Sequence, residues 1–137
     1  MAGKVLPEAF TCFTLSLDNL SELTKRFGYT VGDGVLKDFA GLVQLMGDTE
    51  GMRGYNGIGR FVVFFEECSS KKAAAMIRIL DNQVEEYNSL NPEYPIRYTA
   101  TWATTEETDT YEIRELLRLS QKKWKQMEKA KEQSSCN

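Results

Sequence analysis

Near the middle of the chain, Asn56-Gly57 separates two short runs of strand-forming residues, 52–55 and 61–65. An Asn-Gly pair readily adopts the positive φ angles of a tight hairpin turn, so the two runs are predicted to pair antiparallel. Helical patterns bracket this hairpin on both sides. That arrangement narrows the fold class to α+β, with helices covering a mainly antiparallel central sheet.

Upstream, residues 9–17 are rich in β-branched and aromatic side chains and suit a core strand. Asp18 is placed to cap a short helix over 19–27, which Gly28 ends in a left-handed conformation. A second helix is expected over 31–46, with Val35, Leu36, Phe39, Ala40, Val43 and Met46 as its apolar stripe, stopped by Gly47-Asp48. Downstream, Ser69-Ser70 opens a long helix that turns Ala73, Ile77, Leu80, Val84 and Tyr87 to the core and stops at Asn91-Pro92 and Pro95. Residues 96–103 alternate as a last strand. Asp109 or Thr110 then opens a final helix with Ile113, Leu116, Leu117, Ser120, Trp124 and Met127 on its apolar face, and 129–137 are expected to fray.

The 137 residues suit one domain, assigned to 1–132 with a frayed tail over 133–137. A net charge of −3 supplies no basic field for nucleic acid or an anionic membrane. No apolar run approaches bilayer length and no signal-peptide pattern opens the chain, so a cytoplasmic location is expected. The absence of histidine excludes Ser-His-Asp and Cys-His catalysis and every histidine-containing zinc site. Cys12, Cys68 and Cys136 are widely spaced and odd in number, as expected of reduced structural thiols. The charged run over 122–131 is interleaved with Glu128 and is expected to be a solvated face, while Trp102 and Trp124 are expected in the core.

A strand followed by Asp18 and then by Phe27-Gly28-Tyr29-Thr30-Val31-Gly32-Asp33-Gly34-Val35-Leu36 resembles a known family pattern. That pattern is Asp-x-Asp-x-Phe-Lys-x-x-Asn-Asp-x-x-Gly-His-x-x-Gly-Asp-x-x-Leu, the opening of the GGDEF domains of diguanylate cyclases. In the hairpin, Gly57-Ile58-Gly59-Arg60-Phe61 stands where the family has Gly-Gly-Asp/Glu-Glu-Phe. The resemblance covers nearly the whole chain and implies a palm-like fold in the order strand, helix, helix, hairpin, helix, strand, helix.

The same alignment implies lost chemistry. The family's two metal-holding carboxylates fall on Ser16 and Gly59, so no metal ligand is expected at either. The next signature Glu has become Arg60, the first helix's Lys has become Ser21, and the guanine-contacting Asn has become Thr24. The phosphate-neutralising Lys and Arg of the last helix fall near Glu128 and Glu132, and the inhibitory Arg-x-x-Asp is replaced by Asp48-Thr49-Glu50-Gly51. Among base-contacting positions Asp33 survives. Each retained residue also has a plainer explanation: a helix dipole for Asp33, capping for Asp18, turn geometry for Gly57 and Gly59, and solvation for Arg60. The family's opening segment needs more residues than precede Ser16, so the chain is expected to be a fragment of a larger protein or a shortened variant.

What the resemblance implies is a catalytically inactive, degenerate GGDEF-like domain, working as a regulatory or protein-interaction module in bacterial cyclic di-GMP signalling. It would have no cofactor and would partner a protein or a fused sensor or effector domain. One alternative is a non-catalytic receptor for GTP or cyclic di-GMP using Asp33, Thr24 and Arg60. The other is an active diguanylate cyclase, the one case that requires Mg²⁺.

Overall fold

A computed structural model describes residues 10–45, 52–55, 59–65, 69–108 and 112–135. Its central strand, β1 (Thr11–Leu17), is buried along its whole length, as its β-branched and apolar residues allow. Of the other strands, β2 (Met52–Tyr55) pairs with β3 (Arg60–Phe65), and β4 (Tyr98–Thr104) lies on the far side of β1. The order is β2-β3-β1-β4 and every pairing is antiparallel. The expected hairpin is therefore present; its turn residues 56–58 lie outside the described ones.

Register sorts the side chains onto two unlike faces. Phe13, Leu15 and Val63 share one face with Phe61, Phe65 and Trp102 and pack with Leu23, Val35, Phe39, Leu80 and Val84 of the helices. Phe13, Leu15, Phe39 and Leu80 are wholly buried there, each contributing about 1.5–3 kcal/mol of hydrophobic stabilisation. The opposite face carries Cys12, Thr14, Ser16, Thr99, Thr101 and Ala103, and the last helix lies against it. Its hydroxyls are paired: Thr14 Oγ1 lies 2.7 Å from Ser120 Oγ, and Thr101 Oγ1 donates to the Ser120 carbonyl at 2.8 Å. Burial pushes the Cys12 thiol on this face up to about 12, which leaves it a small inert core residue.

Helices α1 (Leu20–Phe27) and α2 (Tyr29–Gln44) meet at Gly28, whose φ of 97° lies where a Cβ is unwelcome. They pack closely at Gly32, where a Cβ would stand 2.3 Å from Thr24 Oγ1. Ser69 caps α3 (Ser70–Leu90) by accepting from the Lys72 amide at 3.2 Å, and the helix stops at Asn91. A single turn, α4 (Thr105–Thr108), precedes α5 (Ile113–Ser135). None of the helices described is long and apolar enough to cross a membrane.

Several expected details are corrected. The α2 helix begins at Tyr29 rather than 31, because Gly28 alone makes the break; its expected final residue, Met46, lies outside the described ones. Strand β4 begins at Tyr98 rather than 96, because Asn88 clamps Ile96 through both its amide and carbonyl, at 2.7 and 3.0 Å. Asn19 similarly accepts from the Arg97 amide and donates to the Pro95 carbonyl. The α4 turn was not expected. Helix α5 starts at Ile113 and continues to Ser135 instead of fraying from 129, since Lys131 is tied to β4 and to Asp18. Met127 is 43% exposed rather than in the core. Cys68 and Cys136 lie outside the described residues.

Candidate functional site

Antiparallel register places Ser16 opposite both Arg60 and Thr99, so three positions from three strands stand side by side. Trp124, Glu128 and Lys131, at i, i+4 and i+7 on α5, come down over them on one helical face. The Trp124 indole N–H donates to Ser16 Oγ at 2.7 Å, and Ser16 Oγ donates to Asp18 Oδ1 at 2.7 Å. Above the same indole ring sits the Arg60 guanidinium, 4.2 Å from its centroid, a cation–π stack. Trp124 is thus half-buried at a polar end of the sheet. Its helical spacing was shared with core residues, which hid this from the sequence.

Asp18 does not cap α1. The cap position belongs to Asn19, and no side chain there bonds the first turn. The Asp18 carboxylate instead faces Thr99 Oγ1 at 2.5 Å and the Lys131 ammonium at 3.0 Å. Lys131 also bonds Thr99 Oγ1 directly and the Tyr98 carbonyl at 3.2 Å. Glu128 Oε2 lies 2.8 Å from the same Thr99 hydroxyl, which has one proton for two carboxylates. Burial works against ionisation of Asp18, yet its bonds with Thr99, Ser16, Glu128 and Lys131 outweigh that cost and hold it below its ordinary value. Burial, then the bond to Asp18, pushes Glu128 the other way, above the usual carboxylate range.

These donors do not suit a divalent metal. Ser16 is engaged on both sides by Trp124 and Asp18. Gly59 has no side chain, and Arg60 adds a cation where a metal would need negative charge. The Gly59 backbone resists change as well: its φ is 73°, and a Cβ would stand 3.3 Å from the Leu17 carbonyl oxygen. Gly57 and Ile58 of the altered signature lie outside the described residues. Phe61 sits half-buried on the core face, edge-on to Phe39 at 5.7 Å.

The other half of the candidate site is open. Thr24 and Asp33 both line a groove of about 340 Å³ between α1 and α2, with Leu20, Lys25, Tyr29 and Leu36. Asp33 falls beyond the first turn of α2, so the helix dipole does not account for it; its carboxylate pairs with Lys37 at 3.2 Å. The structure therefore brings Thr24 and Asp33 together and sets Arg60 apart, over Trp124. Glu128 faces inward to Thr99, while the side chain of Glu132 lies outside what is described.

Residues 4–135 match the family model for the diguanylate cyclase GGDEF domain. Among solved structures, it is similar to the active GGEEF domain of a diguanylate cyclase from Vibrio cholerae, at 20% identity and a TM-score of 0.73, covering 84% of this chain and 73% of that one. It is also similar to the FimX GGDEF domain from Pseudomonas aeruginosa, at 16% identity and a TM-score of 0.68, over 85% and 72% of the two chains. The GGDEF domain of DgcB from Caulobacter crescentus, solved in complex with c-di-GMP, gives 14% identity and a TM-score of 0.59 over 70% of this chain and 59% of that one. No curated protein matches.

Proposed function

The chain belongs to the GGDEF domain family, and from that premise we propose that it is a catalytically inactive member, a cytoplasmic regulatory or protein-interaction module in cyclic di-GMP signalling. One observation carries this reading: Arg60 and Trp124 close over Ser16 at the end of the sheet where the family keeps its metal-binding carboxylates. A triphosphate brought there with a divalent ion would have to break the Trp124–Ser16 bond and face a guanidinium in place of a carboxylate. The ion would find the Ser16 hydroxyl and an Asp18 carboxylate already bonded to Thr99 and Lys131, with no signature acid to hold it. Restoring an acid at residue 59 would also strain a backbone that only glycine adopts freely.

The decisive experiment incubates the purified chain with GTP and Mg²⁺ or Mn²⁺. The expected result is no cyclic di-GMP above a no-protein control; turnover above that control overturns the reading. A second reading, a receptor that binds GTP or cyclic di-GMP without turnover, is favoured by the open groove where Thr24 and Asp33 meet. Calorimetric titration tests it, and a Kd tighter than about 100 μM, a binding free energy beyond about −5.5 kcal/mol, establishes it over the first.

A further inference from the structure

Strand β4 reads Tyr-Thr-Ala-Thr-Trp-Ala-Thr, seven residues with high strand preference and no charge, proline or glycine. A segment of this kind adds readily to a matching strand when its edge is exposed. Among the described residues β4 is an outer strand, with β1 on one side and no strand on the other. The opposite outer strand, β2, has four residues. The β4 edge is the longer of the two and the one in need of protection.

The phase of the hydrogen bonds identifies the groups that face outward. The Arg97 carbonyl accepts from the Asp18 amide at 2.7 Å and the Thr105 amide donates to the Phe10 carbonyl at 3.1 Å, so the odd-numbered residues of this stretch turn their backbone groups to β1. Tyr98, Ala100, Trp102 and Thr104 turn theirs away from it. Side chains meet three of these four residues. Lys123 Nζ donates to the Trp102 carbonyl at 2.8 Å and to Glu107 Oε1 at 2.5 Å, and Glu107 Oε2 accepts from the Thr104 amide at 3.0 Å. Lys131 donates to the Tyr98 carbonyl at 3.2 Å. Lys123 and Lys131 belong to the run 122–131 expected as a solvated face, and for these two the expectation is corrected.

Thr101 faces α5 while Ala100 and Trp102 face the other way, so the groove of about 430 Å³ that touches all three runs along the outer edge of the strand. The edge is therefore reachable, and side-chain bonds hold it in place of bulk. We propose that Lys123 and Glu107 form a clasp that keeps β4 from pairing with β4 of a second copy of this chain. In antiparallel pairing about Thr101, Ala100 of each copy meets Trp102 of the other, a small side chain against a large one, and Tyr98 meets Thr104. Each such pair exchanges an amide and a carbonyl from both residues. The clasp occupies the Trp102 carbonyl and the Thr104 amide, so every one of these pairs loses a bond while it is closed. Ala100 alone among the outward residues has neither group capped. The clasp uses no residue of the candidate site and holds on either reading of it.

Sedimentation over a concentration series tests the proposal with Lys123→Met, which keeps the aliphatic stem and removes the donor. Self-association at least about tenfold tighter than that of the wild-type chain is expected, with the Ala100 and Trp102 amides slowed in hydrogen exchange as it forms. Lys123→Arg, which still donates, is expected to match the wild type. Ala100→Pro added to Lys123→Met removes an outward N–H at no loss of a bond to β1, and the association is expected to vanish. Circular dichroism checks that each variant folds. Glu107→Ala frees the Thr104 amide without touching α5 and carries the same test where Lys123→Met unfolds. The proposal is overturned if neither opening variant associates more tightly than the wild type, or if Lys123→Arg associates as tightly as Lys123→Met. Association that survives Ala100→Pro, or that leaves the Ala100 and Trp102 amides unslowed, overturns it as well.

Discussion

The two halves of the candidate site lie at the same end of β1 and stand in opposite states. At the sheet end, Ser16, Asp18, Thr99, Trp124 and Lys131 bond one another and Arg60 stacks on top, so the polar groups there are satisfied within the chain. Between α1 and α2, Thr24 and Asp33 border open space, and the partner of Asp33 is an exposed lysine that water or a ligand can replace. The contrast teaches that residues bonded into a network carry a structural task that resists replacement, whereas residues bordering open space keep their polar groups free to exchange partners.

The largest effect expected on this contrast comes from Trp124→Ala, which removes a half-buried ring, its bond to Ser16 and the platform of Arg60 together. Urea unfolding should show a loss of about 3 kcal/mol. A loss under about 1 kcal/mol would mean that the closed end is decoration and not structure. Gly32→Val attacks the open half, because a side chain there collides with Thr24 and wedges α1 from α2. About 2 kcal/mol of destabilisation is expected, with closure or distortion of the groove read from the Thr24 and Asp33 amide shifts.

Smaller effects, within about 1 kcal/mol, come from pH. Asp18 is held below its ordinary 3.8, so its contribution is present above that value and is lost as pH falls through the lowered one. Glu128 is held above its ordinary 4.5, so its contribution is fully present below 4.5 and is lost as pH rises through the raised one. Unfolding midpoints across the acid range should therefore show Asp18→Asn least stable relative to wild type near neutrality, the gap closing on acidification. Glu128→Gln should be the more stable protein near neutrality, its advantage vanishing below 4.5. Parallel curves for the two variants would show that the carboxylates do not share Thr99. The smallest stability effect belongs to Asp33→Asn, about 0.3–0.5 kcal/mol for one exposed pair four residues apart. A larger loss would give Asp33 a structural role and weaken the case for an open groove.

Most of the fold was legible because the signals are local. The hairpin strands, the break at Gly28 and the stop at Asn91 each rest on a few neighbouring residues with strong backbone preferences. The closed end was half legible. Spacing located Ser16, Gly59 and Arg60, but not that they would be sealed, because the sealing partners are distant in sequence: Trp124 is 108 residues from Ser16 and Lys131 is 113 from Asp18. Asp18 shows the difficulty. An aspartate before a helix caps it in most settings, and only the arrival of Thr99 and Lys131 makes the alternative bonds better. The start of β4 was missed for a related reason, since Asn88 and Asn19 claim Ile96 and Arg97 from other elements.

The paired hydroxyls of Thr14, Thr101 and Ser120 bear on how force or signal could travel through the molecule. They act as a key cut across the axis of α5: sliding the helix by one turn would strand buried polar groups at about 1–3 kcal/mol each. A pull along α5 is therefore resisted stiffly, as by a bolt in its keeper, whereas leverage on the longer C-terminal arm is met by the side-chain ties of Lys123, Trp124, Glu128 and Lys131. Motion imposed along the helix axis would have to break the hydroxyl pairs before α5 could slide.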